Sequence, residues 1–341
     1  MSKTSSPLLP DRYPTRDFFI CDVLDAVPKD DMASMEHPIF SLTTKPDSRR
    51  RTYAHNGSTI EIVPSEAGLA TIHDKDILIY CISQLMAGIN DGLKPDKTLY
   101  LKAHDLLIAT NRMTNGRGYQ LLKEALTRLR GTTIVTNIRT NGEEITEGFG
   151  LIDSWRTIRQ TQSGRMSEIK IELSDWMFNA IVGKEVLTIS RDYFRLRKPI
   201  ERRIYELARK HCGQQAEWSI KARTLQKKCG STGTHKLFRQ MLRTLAQHDH
   251  LPDYHVAFTG DIVTFTNRNA SSVTLMGSGD QPQLQPSTYE AARKAAPGYD
   301  VYHLEQEWLH FWHQSGKPEF KSPDGAYIAF CRKRHEMKPL S

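Results

Sequence analysis

No run of apolar residues in this 341-residue chain approaches the ~20 needed to cross a bilayer. The opening, Met1-Ser2-Lys3-Thr4-Ser5-Ser6-Pro7, also lacks the hydrophobic centre of a signal peptide. The expectation is a cytoplasmic protein with no membrane partner. Cysteine is scarce: Cys21, Cys81, Cys212, Cys229 and Cys331 are odd in number, far apart and never in a Cys-x-x-Cys pair. That argues against both a zinc ribbon and a disulfide framework. A phosphate-cradling loop is missing, since Gly230-Ser231-Thr232-Gly233-Thr234-His235-Lys236 lacks the Gly-x-x-x-x-Gly-Lys-Ser/Thr spacing. A nicking enzyme would want a His-apolar-His pair, but His248-Asp249-His250 puts an acid between the histidines, and neither His310 nor His313 has an acidic or thiol partner at ligand spacing. No triad or paired-carboxylate arrangement stands out. The chain is therefore expected to carry no catalytic residue, metal site or cofactor.

What is present is enough apolar content, 38%, to build the cores of two or three domains, and an uneven charge. Between Glu185 and Arg243 lie fifteen Lys and Arg against five Asp and Glu, so this segment is +10 in a chain of +8 and the remainder is −2. Such a concentration suits a phosphate-backbone partner, the alternative being a solvated charged surface.

The basic segment contains half of a repeat. From Asn115 to Arg130, a turn softened by Gly116 and Gly118 leads into Leu121, Leu122, Ala125, Leu126 and Leu129, the one-face spacing of an amphipathic helix. Its other face carries Arg117, Gln120, Lys123, Thr127 and Arg128. A shift of 116 residues lays Leu237, Phe238, Met241, Leu242 and Leu245 on the same apolar positions, with Thr234, Lys236, Arg239, Gln240 and Arg243 opposite. Upstream, Leu101 to Leu106 aligns with Ile220 to Leu225 at a shift of 119. Short helix, polar turn and cationic helix form a helix-turn-helix, whose second helix can enter the major groove. Each copy is followed by a hairpin signal: Thr132 to Arg139 with Asn141-Gly142, and Tyr254 to Phe258 with Thr259-Gly260-Asp261 and Ile262 to Thr266. The reading is an α+β chain with tandem winged-helix domains and a small C-terminal helical module. Double-stranded DNA is the expected partner, met by Arg112, Asn115, Arg117, Gln120, Lys123, Thr127 and Arg139 in the first copy. In the second, the candidates are Lys221, Arg223, Lys227, Lys228, Ser231, Thr234, His235, Lys236, Arg239, Gln240 and Arg243. The first copy is expected to supply more of the base reading and the second most of the electrostatic affinity.

Along the chain, 1–64 reads as a polar mobile tail and a β-rich extension, in which Arg49-Arg50-Arg51 either touches DNA or solubilises an edge strand. Segments 65–184 and 185–268 hold the two winged helices, the first opening on a buried helix around Asp76 to Met86. In the second, Arg202, Arg203, Arg209 and Lys210 are expected around a helix starting near Pro199, able to neutralise phosphates. Residues 269–287 form a flexible linker by composition, and 288–341 a helical module whose Trp308, Phe311 and Trp312 are either core or a stacking cluster.

Several runs resemble the plasmid replication initiator proteins of the replication initiator protein A type: Met35 to Leu42, Pro64 to Tyr80, and Thr110-Asn111-Arg112 with Gly116 to Leu129. The resemblance covers Asp17 to Arg268. It implies a protein that binds repeated sites at a plasmid origin, helps to open the origin and recruits the host helicase; a homodimer is a further expected partner, and the location is a bacterial cytoplasm. It brings no catalytic set. Tyr299 to Arg334 is also similar to helical segments of primosomal helicase-loading proteins. The competing readings are a winged-helix transcriptional repressor, which can coexist with initiation, and a DNA-nicking enzyme.

Overall fold

A computed structural model describes residues 6–14, 21–22 and 39–337, except 45, 56–57, 91–92, 141–142, 160–165, 183–186, 214, 269–281, 283, 297–298, 300, 316–317, 319 and 321. The expected Asn56-Gly57 and Asn141-Gly142 turns and most of the 269–287 linker lie outside the described residues. The described chain is mixed α+β, with three clusters of buried side chains.

The first cluster gathers on α1 (Lys75–Asn90), whose Ile77, Leu78, Cys81 and Ile82 are at most 1% exposed. A helix apolar on nearly every side is a scaffold. Ile79 of the same helix packs into the second cluster, so α1 serves two cores. Ahead of it lie β1 (Cys21–Asp22), β2 (Arg51–His55) and β3 (Ser58–Val63). After it come β4 (Thr98–Lys102), α2 (Ala103–Ala109), α3 (Gly116–Gly131), β5 (Thr133–Thr140), β6 (Glu143–Gly150), β7 (Ile152–Arg159), β8 (Met166–Leu173) and α4 (Asp175–Val182).

The second unit repeats part of this order: β9 (Leu187–Thr188), a 3-10 turn at Arg191–Arg195, α5 (Pro199–His211), β10 (Glu217–Lys221), α6 (Ala222–Cys229), α7 (His235–His248), β11 (Tyr254–Thr259) and β12 (Ile262–Asn267). In both copies the upstream motif splits between a strand and the helix it feeds. The 119-residue shift superposes Ala103 on Ala222, the first residues of α2 and α6.

Sheet order corrects one expectation. In the second unit the order is β10-β12-β11, with Ile220 opposite Val263 and Val263 opposite Phe258. Its counterpart in the first unit is β4-β8-β7, with Leu101 opposite Ile169 and Ile171 opposite Trp155. The hairpin expected after α3 forms as β5-β6, but it joins β2 and β3 in a separate sheet through pairs such as Ile60 with Thr136. Turn chemistry announces that two strands pair, whereas the faces they bury decide which sheet receives them. The hairpin equivalent to β11-β12 is therefore β7-β8.

The two units meet through buried charge. Lys75 Nζ lies 3.0 Å from Glu206 Oε1, Tyr193 donates its hydroxyl to the same oxygen at 2.8 Å, and Arg203 donates to Oε2 at 3.1 Å. Arg202 contacts Asp76 at 2.5 Å and donates to the Leu196 and Phe194 carbonyls, while Arg209 donates to the Thr188 carbonyl. Arg202 is 2% exposed. All three were expected around the outside of α5; with its Ile204, Tyr205, Leu207 and Ala208 buried, Arg202 turns into the junction, Arg203 supports Glu206 there, and Arg209 bonds within its own unit.

The N-terminal segment, expected as a mobile tail, closes the junction from outside. Leu9 donates to the Arg195 carbonyl at 2.8 Å and accepts from Arg195 Nε at 2.9 Å. Arg12 N donates to Asn111 Oδ1 at 3.0 Å, and the Tyr13 hydroxyl donates to the Arg112 carbonyl at 3.0 Å. One strap thus ties the turn before α3 to the second unit. The arginine triplet is paired within its own sheet region, Arg49 and Arg51 with Asp47 and Arg50 with Glu61. Arg49 first, then Arg51, hold the Asp47 carboxyl well below the usual carboxylate range despite its burial.

The third cluster joins α8 (Pro286–Ala295), α9 (Val301–Gln314) and α10 (Pro323–Met337) around Trp308 and the fully buried Tyr327. Of the aromatic trio, Trp308 and Trp312 are buried and Phe311 is 58% exposed.

Candidate nucleic-acid interface

Helix α3 begins where Asn115 accepts from Gly118 N at 3.0 Å. Its turn requires glycine at 118, because a Cβ there would lie 1.8 Å from the Met113 carbonyl oxygen. Replacing the cap with alanine is expected to cost ~1 kcal/mol, read as a lower thermal midpoint for Asn115→Ala that Asn115→Asp restores. Leu122, Ala125, Leu126 and Leu129 are fully buried, leaving Arg117, Gln120 and Thr127 exposed and Lys123 half-buried. That exposed face also holds a carboxylate that composition counts overlook. Gln120 donates to Glu124 at 3.0 Å, and Arg117 stands 3.8 Å from the same residue. Their spacing, four and seven residues before Glu124, was the available signal.

Two cations assigned to this face point inward. Arg112 donates to the His73 carbonyl and lies 3.5 Å from Asp76. Arg128 grips Asp74 through two bonds, 2.7 and 2.8 Å long. Burial alone would raise the Asp74 carboxyl; the Arg128 guanidinium outweighs it and holds it below its ordinary value. Around them, burial and the nearby Arg202 and Arg112 push His73 down to about 3. A carboxyl held low in the fold adds stability that is full above its ordinary pKa and is lost as pH falls through the folded value. Melting temperatures measured from pH 7 to pH 3 should therefore fall less steeply for Asp74→Asn, which lacks that carboxyl, than for the parent chain. Arg139 lies on β5, with its side chain outside the described residues.

In the second unit Gly230 adopts φ +65°, ending α6, and Gln226 spans the following turn by donating to the Gly233 carbonyl at 2.7 Å and pairing with His235 Nδ1 at 2.8 Å. Thr234 then caps α7, accepting from Leu237 N at 3.4 Å. Phe238, Leu242 and Leu245 are buried beneath it, the partners of Leu122, Leu126 and Leu129 at the 116-residue shift. Leu237 departs from that pattern: it is 60% exposed, because α7 starts three residues later in the repeat and places this leucine in its first turn.

Of the candidate cations, Lys221, Arg223, Lys227, Lys236 and Arg243 are exposed, with Lys228 and Ser231 half-buried and Gln240 exposed. Arg239, expected to be an outward phosphate ligand, is spent on the protein. It donates to the Gly260 carbonyl at 2.6 Å, bonds Asp261, and lies 5.0 Å from the centre of the Phe258 ring, where Arg243 also approaches to 5.9 Å. Helix α7 and the β11-β12 turn consequently form one surface. Other cations of the segment are neutralised nearby, Arg195 by Asp192 and Lys198 by Glu201. The +10 count therefore overstates the charge offered outward.

Among the described residues no helix is long and apolar enough to cross a membrane, and no group of three His, Cys, Asp or Glu is placed to hold a metal ion.

The crystal structure of RctB domains 2-3 is similar in fold, with TM-score 0.50 at 12% identity over 70% of this chain and 98% of that one. A protein of Wigglesworthia glossinidia brevipalpis that bears the name of a replication protein is 42% identical over 260 residues, 74% of this chain and 94% of its own length. The model of the family described as "Replication initiator protein A" matches residues 29–256, which include α2, α3, α6, α7 and the junction between the units. With its two helix pairs, shared scaffold helix and long matched span, the chain belongs to the replication initiator protein A family.

Proposed function

We propose that this chain is a non-enzymatic initiator that binds repeated double-stranded sites at an origin through two winged helices, α2-α3 with β7-β8 and α6-α7 with β11-β12. Binding promotes origin opening, and the bound protein recruits host replication proteins. The observation that carries the reading is the surface of α7. Lys236, Gln240 and Arg243 are exposed along it, and Arg239 locks it to the hairpin, the arrangement a helix needs to enter a major groove while its wing lies beside the backbone. On α3, Arg117 and Gln120 suit guanine and adenine edges once released from Glu124. The proposed domains are 65–184, 185–268 and 288–341, with α1 shared between the first two cores through its Ile79.

Fluorescence anisotropy of the full chain on duplex DNA, titrated with salt, tests the reading. Lys236→Ala and Arg243→Ala should each flatten the log K against log salt slope by about one unit, as loss of one phosphate contact does. Arg239→Ala should move that slope less, since its guanidinium already serves Gly260 and Asp261. No measurable affinity for duplex DNA at low salt would remove the proposal.

A further inference from the structure

The exposed side of α7 is divided lengthwise. One line, Lys236, Arg239 and Arg243, is cationic and runs beside the hairpin, with Arg239 and Arg243 over Phe258. The adjacent line, Leu237, Gln240, Thr244 and Gln247, carries no charge. Leu237, Gln240 and Gln247 are exposed and Thr244 is half-buried, its hydroxyl donating to the Gln240 carbonyl at 3.1 Å.

Phosphates attract the cationic line, and uncharged side chains gain little there. A line of leucine and glutamine suits base edges, where glutamine can bond adenine N6 and N7 and an apolar group can cover the thymine 5-methyl. Residues three apart on a helix lie about 5–6 Å from each other, so Leu237 and Gln240 can address one A·T pair or two neighbouring pairs. Leu237 also sits in the first turn, the part of a recognition helix that reaches base edges. Single exposed leucines are common on protein surfaces and need no function. Here the repeat gives a comparison, because Leu121, the equivalent at the 116-residue shift, is half-buried whereas Leu237 stands 60% exposed among polar neighbours.

Resting on the DNA-binding reading above, we propose that Leu237 is a specificity-determining residue that covers a thymine 5-methyl beside an adenine held by Gln240. The full chain would first select its site from random-sequence duplexes. Each thymine of the enriched site would then be replaced in turn by deoxyuridine, which removes the methyl alone. One such replacement should weaken binding by the parent chain about fourfold, the worth of burying one methyl group. With Leu237→Ala the same replacement should make no difference, while circular dichroism shows an unchanged fold because the side chain is exposed. Equal sensitivity in both proteins, or none at any thymine, overturns the role of Leu237 while leaving DNA binding intact. Failure to enrich any sequence overturns the underlying reading instead.

Discussion

Replacing Glu206 with alanine is expected to cost about 3–5 kcal/mol, the scale of a buried ion pair broken from one side. Lys75, 7% exposed in its side chain, would keep its charge at 3.0 Å from where the carboxylate was, and Tyr193 and Arg203 would each lose an acceptor. Burial by itself would raise the Glu206 carboxyl, but Lys75 and Arg203 outweigh it and hold it below its ordinary value, so in the parent chain it is charged throughout the neutral range. Because Lys75 starts α1 and Glu206 lies on α5, the loss falls on the contact between two units as well as on either core. Urea unfolding followed by circular dichroism would show it as a lower midpoint. The pair Lys75→Met with Glu206→Leu should recover the part of the loss that belongs to Lys75, since apolar replacements of buried pairs are often neutral or stabilising, while Tyr193 and Arg203 still lack that acceptor. A midpoint for Glu206→Ala equal to that of the parent would mean the network does not hold the units together.

The second large effect concerns DNA. Changing Lys236, Gln240 and Arg243 to alanine together removes the cations and the amide along α7 while leaving Phe238, Leu242 and Leu245 buried. Affinity for every duplex should fall by about two orders of magnitude or more near physiological salt, with a salt slope shallower by about two units, and the selected site should lose further affinity through Gln240. The companion change, Arg117→Ala with Gln120→Ala on α3, should behave differently. It should spare non-specific affinity and cost about 1–3 kcal/mol of discrimination per lost base contact. If both variants lowered specific and non-specific affinity alike, the division of work between the helices would be wrong.

Much of this was legible in the residues, and the reasons are local. Leu122, Leu126 and Leu129 recur as Phe238, Leu242 and Leu245 at one shift, and every one of the six is buried; helical periodicity needs only the chain's own spacing to be seen. Asn115 and Thr234, expected to meet DNA, also cap their helices. What could not be read was partnership across the chain. Asp74, Asp76 and Glu206 lie far in sequence from Arg128, Arg202 and Lys75, so counting charge assigned outward arginines that the fold turns inward. The hairpin at Asn141-Gly142 was legible for a similar local reason, but only the register of β4 with β8 shows that another hairpin, β7-β8, is the counterpart of β11-β12. Leu8 to Tyr13 carries no periodicity, and its role as a strap depends on partners far along the chain: the Arg195 carbonyl and guanidinium, the Asn111 side chain and the Arg112 carbonyl.

The central claim is that both units engage one DNA molecule, held in fixed relation by the buried junction and the strap. Hydroxyl-radical footprinting of the full chain on its selected duplex tests this most directly. The account predicts two protected patches on one face of the duplex, about one helical turn or ~10 base pairs apart, with the α7 triple variant leaving neither at physiological salt. A single protected patch that persists in the α7 variant would contradict it.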